Sequence, residues 1–153
     1  MHTLHGTSAS AATAVAVAIA VTFVWLGMVL AISFLEAPLK FRAPGITVPL
    51  GLGIGRLVFR ALNTVEAVLA LALVLAVALG SPTALITALT ALAVLLLVLQ
   101  LAAIRPTLNR RSDRVLAGED APRSRAHLFY VAAELAKVAT LLALGILTLR
   151  SAV

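Results

Sequence analysis

Charged side chains recur inside long apolar stretches of this sequence, where ionised groups are costly unless they are paired or functional. In the second apolar stretch, polar residues stand at positions i, i+4, i+7 and i+10, and in the last stretch at i, i+3, i+7 and i+10. Helical geometry puts each set on one face of its helix. The two sets are Arg56, Arg60, Asn63 and Glu66, and His127, Tyr130, Glu134 and Lys137. We interpret these residues as candidates for a ligand or proton site.

The depth of each charge predicts its partner. A rise of about 1.5 Å per residue places Glu66 about 20 Å into its helix and Lys137 about 18 Å into the last one. An unpaired charge near the middle of a membrane would be strongly destabilising. We therefore expect the second and fourth helices to face each other and Glu66 to pair with Lys137, with Glu134 near the level of Arg60.

A second charged group, Glu36 and Lys40, stands in the segment FLEAPLKFR at the end of the first apolar stretch. The two residues are i, i+4 neighbours on a helix. Pro38 between them predicts the end of that helix, because proline cannot continue the backbone hydrogen bonds. We expect Glu36 and Lys40 at the cytoplasmic rim, with Arg56 as the partner of Glu36.

These charges allow two interpretations. In the first, ion pairs only fix the packing of four helices. In the second, they line a polar cavity open to the cytoplasm and closed on the other side by apolar helix ends. There Arg56, Arg60 and Lys137 would be counter-charges for an anion, and Glu66 or Glu134 would carry a proton.

Other kinds of site find little support. The chain has no cysteine, which excludes thiol–disulfide exchange and thiolate ligation of iron–sulfur clusters or zinc. His127 is the single histidine near the apolar stretches, so one chain cannot supply a bis-histidine haem site. We find no catalytic constellation and no metal-ligand motif, and the cofactor stays unknown.

The elements that must position these residues follow from composition. Apolar residues make up 62% of the 153-residue chain and charged residues 12%, against about a quarter in soluble domains. A membrane-spanning helix needs about 20 apolar residues. The sequence predicts an all-α, integral membrane four-helix bundle as a single domain over residues 1–153. Its helices span about 11–38, 53–79, 83–105 and 125–149, and the long loops about 39–52 and 106–124.

Basic residues predict the orientation, because they concentrate in cytoplasmic loops. Ten of the twelve lie in or beside the two long loops: Lys40, Arg42, Arg56, Arg60, Arg105, Arg110, Arg111, Arg114, Arg123 and Arg125. We expect both termini outside and a multi-pass protein of the inner (plasma) membrane. The net charge of +6 is better matched by anionic lipid at the cytoplasmic face than by nucleic acid.

Two further patterns concern packing. A shift of 68 residues places Pro38 on Pro106 and Glu66 on Glu134, which suggests two parallel hairpins related by an axis along the membrane normal. Gly51 and Gly55 have the GxxxG spacing of closely packed helices. For these glycines we favour the alternative, a flexible entry to the second helix.

The segments GMVLAISFLEAPLKF and GRLVFRALNTVEAVLALAL resemble the first hairpin of the transmembrane protein 205-like group and its bacterial relatives. The residues that carry the resemblance are Phe34, Pro38, Phe41, Gly55, Phe59, Arg105, Pro106, Phe129 and Tyr130. The resemblance implies a four-helix membrane protein and does not extend to a particular chemistry.

Three functions stay open at this point. The first is transport or binding of a small anionic or amphipathic ligand, linked to a proton, by a homo-oligomer. The second is an accessory or assembly subunit of a larger membrane complex, in which the charges are structural. The third is a haem- or quinone-linked redox protein. An enzyme is the least supported class.

Overall fold

The computed structural model describes residues 3–119 and 125–152, with side chains for residues 9–119 and 125–152 other than Ala126. The predicted loop over 106–124 therefore falls partly outside the described residues. Five helices are numbered here: α1 (Thr3–Val29), α2 (Val48–Leu79), α3 (Ala84–Leu99), α4 (Arg105–Leu116) and α5 (Arg125–Ala152). No strand occurs within the described ranges, so the prediction of an all-α fold is confirmed.

Two of these helices widen into π-helical turns near the same end of the molecule. After α1 the chain continues as a π-helix over Leu30–Glu36, then as short helical pieces over Ala37–Leu39 and Lys40–Arg42. After α3 a π-helix over Gln100–Ile104 leads directly into α4. A proline follows each π segment after one intervening residue: Pro38 comes after Ala37, and Pro106 after Arg105. Such π turns are frequent at functional sites.

Four continuous helical spans are long and apolar enough to cross a membrane: Ala9–Arg42, Val48–Leu79, Ala84–Leu116 and His127–Ala152. This length and composition are those of a multi-pass membrane protein. The third span extends beyond its predicted end near 105, because α4 continues α3 instead of starting a separate loop. Leu116 ends α4 just before Gly118, whose φ of 84° suits glycine.

Helix α2 begins at Val48, about a turn before its predicted start. The Thr47 hydroxyl accepts a hydrogen bond from the Leu50 amide at 3.4 Å, and Pro49 lies in the first turn, so both residues favour a helix start here. Gly51 and Gly55 are consequently helical and buried. The interpretation of these glycines as a flexible entry is wrong.

The helices pack in chain order around the bundle. Helix α1 packs against α2 and α5, and α3 packs against α5 and, over a smaller area, α2. This leaves α2 and α5 diagonally opposite each other. Apolar side chains of all four spans fill the half of the bundle beyond Trp25, and Leu73, Ala93, Leu141 and Leu144 are fully buried there. This apolar half leads to the short turn Gly80–Thr83, where residues of the turn and the neighbouring helices line a smaller cavity of about 130 Å³.

Candidate functional site

Five buried side chains form a connected polar chain across the middle of the bundle. The Trp25 indole donates a hydrogen bond to Glu66 Oε1 at 2.9 Å, and Lys137 Nζ lies 2.5 Å from the same oxygen. Lys137 Nζ also lies 3.5 Å from Glu134 Oε1, to which the Gln100 amide donates at 2.9 Å. We call these five residues the polar chain. None of them is more than 3% exposed.

The predicted pairing of Glu66 with Lys137 is present. The helices that carry the pair do not face each other as neighbours, because α2 and α5 are diagonal. The two long side chains reach across the bundle centre instead, and Trp25 of α1 and Gln100 from the π segment after α3 close the contact from the sides. Each span thus contributes to a single buried set of polar groups.

The polar chain carries an uneven charge when all its groups are ionised, since two carboxylates share one ammonium. Lys137 lies a full ångström closer to Glu66 than to Glu134, so Glu66 and Lys137 form the tight pair. Glu134 Oε1 takes both of these contacts, and Tyr130, four residues earlier on α5, also interacts with the Glu134 carboxylate. Its other oxygen, Oε2, is buried and has no hydrogen-bond partner within the described part of the chain.

Beside Glu134 opens a cavity of about 260 Å³, at the bundle end where α2 and α5 begin. We call it the basic cavity. Four cationic side chains line it, Lys40, Arg56, Arg105 and Arg111, together with four aromatic rings, Phe34, Phe41, Phe59 and Tyr130. Glu134 is the one carboxylate among the lining residues. The polar chain and the basic cavity therefore meet at Glu134.

Arg105 is the cation of this cavity that lacks an acidic partner. Its guanidinium carbon lies 4.4 Å from the centre of the Phe59 ring and 5.3 Å from that of Tyr130. It donates one hydrogen bond of 3.4 Å to the Asn63 side chain. No carboxylate lies within ion-pair distance of it among the residues described. Aromatic faces stabilise its charge without neutralising it.

Two other cations of the basic cavity are neutralised. Lys40 Nζ lies 3.3 Å from Glu36, and Arg56 lies 2.5 Å from Asp113 of α4. The predicted pair of Glu36 with Arg56 is therefore wrong. Asp113 pairs with Arg56 because α4, as the continuation of α3, packs against α2.

The predicted polar face of α2 splits in the structure. Glu66 is buried, Asn63 is half-buried against Arg105, and Arg60 is exposed on the outer surface beside Thr64. Arg60 does not line the basic cavity, so the structure does not place it there as a counter-charge. Of the predicted residues of α5, His127, Tyr130 and Glu134 line the cavity, and Lys137 lies deeper.

Buried polar atoms without a partner concentrate around the basic cavity. Such atoms are rare in folded proteins and call for an explanation. Within the described residues, five of the six belong to cavity-lining side chains: Ser33 Oγ, Arg56 Nε, Arg105 Nε, Tyr130 OH and Glu134 Oε2. Donors and acceptors both occur among them. This arrangement can bind a polar group of a ligand or ordered water.

Two glycines give the basic cavity part of its shape. A Cβ atom on Gly51 would overlap the Phe41 ring, and one on Gly55 would lie 2.9 Å from Lys40 Nζ. The end of the first span thus packs directly on the backbone of α2. The GxxxG spacing marks this close approach.

Sequence reasoning missed Arg105, Gln100 and Trp25 as members of the site. The sequence pattern indicates Arg105 only as one of the basic residues in or beside the second long loop. The position of Arg105 directly before Pro106 was a usable signal. Ala37 stands in the same way before Pro38, and both Arg105 and Ala37 line the basic cavity. Gln100 and Trp25 carry no charge, so the spacing of charged residues gives no signal for them.

No protein-family model, curated protein or solved structure matches this chain. Within the described residues, no three histidine, cysteine or acidic side chains come together in a way that could hold a metal ion.

Proposed function

We propose that this chain binds a small anionic, amphipathic ligand in the basic cavity and carries it across the membrane. The observation that carries the proposal is Arg105, a cation between two aromatic rings with no acidic partner among the described residues. Arg105 is half-buried, and a cation partly removed from water without a counter-charge is unfavourable by itself. A bound anion would compensate it.

The lining of the cavity supports an amphipathic ligand. Ligand sites are mostly apolar with a few well-placed polar groups. Here aromatic and aliphatic side chains surround Arg105, and the volume of about 260 Å³ suits a small molecule. An apolar body would contact Phe34, Phe59 and Val131, and the anionic group would meet Arg105.

A carrier role fits the one-sided shape of the bundle. The basic cavity lies at one end, and the apolar core beyond Trp25 separates it from the smaller cavity of about 130 Å³ at the other. A carrier with its site open to one side and closed to the other is in one state of an alternating-access cycle. The π segments beside the cavity are the places where the spans could change their bend.

The orientation of the chain in the membrane is part of the same proposal. The end that carries the basic cavity also carries the basic residues of α4 and the connection between the first two spans. The positive-inside rule puts this end in the cytoplasm and both termini outside, in the plasma (inner) membrane. Anionic lipid would be the partner of the exposed cations, among them Arg60.

The two-hairpin repeat is also part of the proposal. Each half contains a long span, a π segment, a proline and a return helix with a buried glutamate, Glu66 or Glu134. Both glutamates contact the same ammonium, Lys137. A parallel repeat about an axis along the membrane normal would produce this convergence.

A second candidate function is that of a subunit in a homo-oligomer or larger membrane complex. The internal pairing of Glu66 with Lys137 favours it, because such a pair can simply fix helix packing. This role explains the polar chain. It does not explain why Arg105 lacks an acidic partner among the described residues or why unpartnered polar atoms surround the basic cavity.

Thermal unfolding of the detergent-solubilised protein tests the proposal against a panel of probes: acetate, butyrate, benzoate, octanoate and phenyl phosphate. At least one amphipathic anion should raise the melting temperature in a concentration-dependent way, and Arg105→Gln should abolish the rise. Arg110→Gln is the matched control, because Arg110 lies on the same helix, is exposed and does not line the cavity. Equal responses of the two variants, or no response of the unaltered protein, would refute the proposal.

A further inference from the structure

Among the described residues that line the basic cavity, Glu134 is the acidic one and can interact with a ligand there. Its Oε1 is occupied by Gln100 and Lys137. Tyr130 interacts with the carboxylate, but the buried Oε2 accepts no hydrogen bond of ordinary geometry within the described residues. An ionised carboxylate with an undonated, buried oxygen is unfavourable. A protonated one could use Oε2–H as a donor toward the cavity.

Before an anion binds, Glu134 is the carboxylate that shares the cavity with its cations among the described lining residues. Arg105 lines the same small space, and Arg56 and Lys40 lie around it. An incoming anion would compensate Arg105 and would itself repel the Glu134 carboxylate. Both effects disfavour the ionised form at the moment of binding.

We propose that one proton enters with each monoanionic carboxylate, and that Glu134 is its acceptor. The proton comes from water, binds Glu134 Oε2, and leaves no covalent change in the ligand. The neutral acid then donates a hydrogen bond to the ligand carboxylate, whose charge is balanced by Arg105. This inference rests on the proposed function and assigns the proton to Glu134 in place of Glu66.

Glu66 is less suited to that role. Its Oε1 accepts from both Trp25 and Lys137, and it does not line the basic cavity. A proton on Glu66 would break the tight pair with Lys137 and leave the ammonium near Glu134 alone. The geometry therefore separates a structural carboxylate from a titrating one.

The charged and titratable groups around Glu134 come from every span. They are Lys137, Tyr130 and His127 of α5, Glu66 and Arg56 of α2, Arg105 and Arg111 of α4, and Lys40 with Glu36 at the end of the first span. Lys137 and Tyr130 share its helix, and the Gln100 amide is its neutral neighbour. Protonation of Glu134 leaves the Glu66–Lys137 pair intact.

Isothermal titration with benzoate tests this coupling on protein in nanodiscs of zwitterionic lipid. Benzoate stays ionised between about pH 6 and pH 8, as carboxylic acids with a pKa near 4 do. Titration in two buffers of different ionisation enthalpy counts the protons taken up. We expect about one proton per benzoate and a Kd that rises up to about tenfold per pH unit where Glu134 is ionised in the free protein.

Glu134→Gln mimics the protonated side chain, so it should bind benzoate without proton uptake and with a Kd that changes less than about twofold over this range. Glu119→Gln, which alters an exposed carboxylate away from the cavity, should behave like the unaltered protein. Benzoate binding without proton uptake by the unaltered protein would overturn the role of Glu134 and leave the ligand site intact. Proton uptake that persists in Glu134→Gln would likewise overturn the role of Glu134 and leave the ligand site intact. Absence of benzoate binding at every pH would refute the proposed monocarboxylate site itself.

Discussion

At the residue scale, Lys137 holds the centre of the molecule together. It is fully buried and lies within ion-pair distance of two carboxylates from different helices. Removal of one partner from a buried ion pair is usually far more harmful than removal of both, because the remaining charge stays buried. The polar chain therefore makes a specific prediction about single and double substitutions.

Lys137→Met should lower the free energy of unfolding by about 3–5 kcal/mol, since it leaves Glu66 and Glu134 buried without their counter-ion. The double substitution Glu66→Gln with Lys137→Met should recover most of this loss. Thermal and denaturant unfolding followed by circular dichroism would measure both.

Lys40→Met is the control for that pair of variants. Lys40 pairs with Glu36 at the rim, where the Glu36 side chain is 31% exposed, so its loss should cost at most about 1 kcal/mol. If the double variant is as unstable as Lys137→Met alone, the contribution of Lys137 to stability does not come from its ion pair with Glu66.

Arg60 and Glu66 show how far a sequence can predict which way a side chain faces. Both belong to a set with helical spacing, and that spacing correctly predicted a charged stripe on α2. At 3.6 residues per turn, however, Arg60 and Glu66 are about 120° apart around the axis. One edge of the stripe enters the core and the other faces outward. Spacing alone does not give the rotation of a helix, which is fixed by the residues that pack against it.

At the element scale, the ends of the spans make the site. The π segments, Pro38, Pro106 and α4 all lie around the basic cavity, whereas the opposite halves of the spans are plain apolar helix. Hydrophobic length predicted the spans themselves. It could not predict that α4 continues α3 and carries Arg105 into the cavity, because the polar residues after Ile104 read as a loop.

Gly51 tests the close contact between the first span and α2. Gly51→Ala should displace the Phe41 ring from the basic cavity and weaken anion binding by about tenfold, a change of about 1.4 kcal/mol in binding free energy. Benzoate titration of the variant would measure the effect. A neutral result would mean that Phe41 moves aside without changing the site.

Gly53 provides the matched control on the same helix. A Cβ atom there would meet nothing within 4 Å, so only the helix propensity changes. Gly53→Ala should leave benzoate affinity unchanged and stabilise the protein by up to about 1 kcal/mol. A loss of affinity equal to that of Gly51→Ala would point to a general effect on α2.

At the scale of the whole molecule, the orientation determines what the basic cavity can take up. The chain has no cysteine, so single cysteines can be introduced for labelling without background. Ser81 lies in the short turn between α2 and α3, and Glu119 follows α4 at the basic end; both are exposed.

A membrane-impermeant maleimide should label Ser81→Cys in intact cells and should label Glu119→Cys only after the membrane is opened. The positive-inside rule is the physical basis of this expectation. The reverse labelling pattern would place the basic cavity outside and would contradict the proposed direction of access. Labelling of both positions in intact cells would argue against four spans.

The composition and the hydrophobic stretches predicted most of the architecture, and the depth of the charges predicted the Glu66–Lys137 pair. The sequence suggested a polar cavity, but its lining by Arg105 and the aromatic rings was not predictable, because it depends on where the helices end and on how α4 packs. The resemblance to the transmembrane protein 205-like group stays a prediction about the fold and adds nothing on chemistry.

The central claim is that the basic cavity is an anion site built around Arg105. An anomalous difference map from crystals grown with 4-bromobenzoate tests it most directly. We expect one bromine peak among Phe34, Phe59 and Val131, with the carboxylate in contact with the Arg105 guanidinium. A map without bromine in the cavity, in which Arg105 is instead paired with a carboxylate of the protein, would contradict the claim.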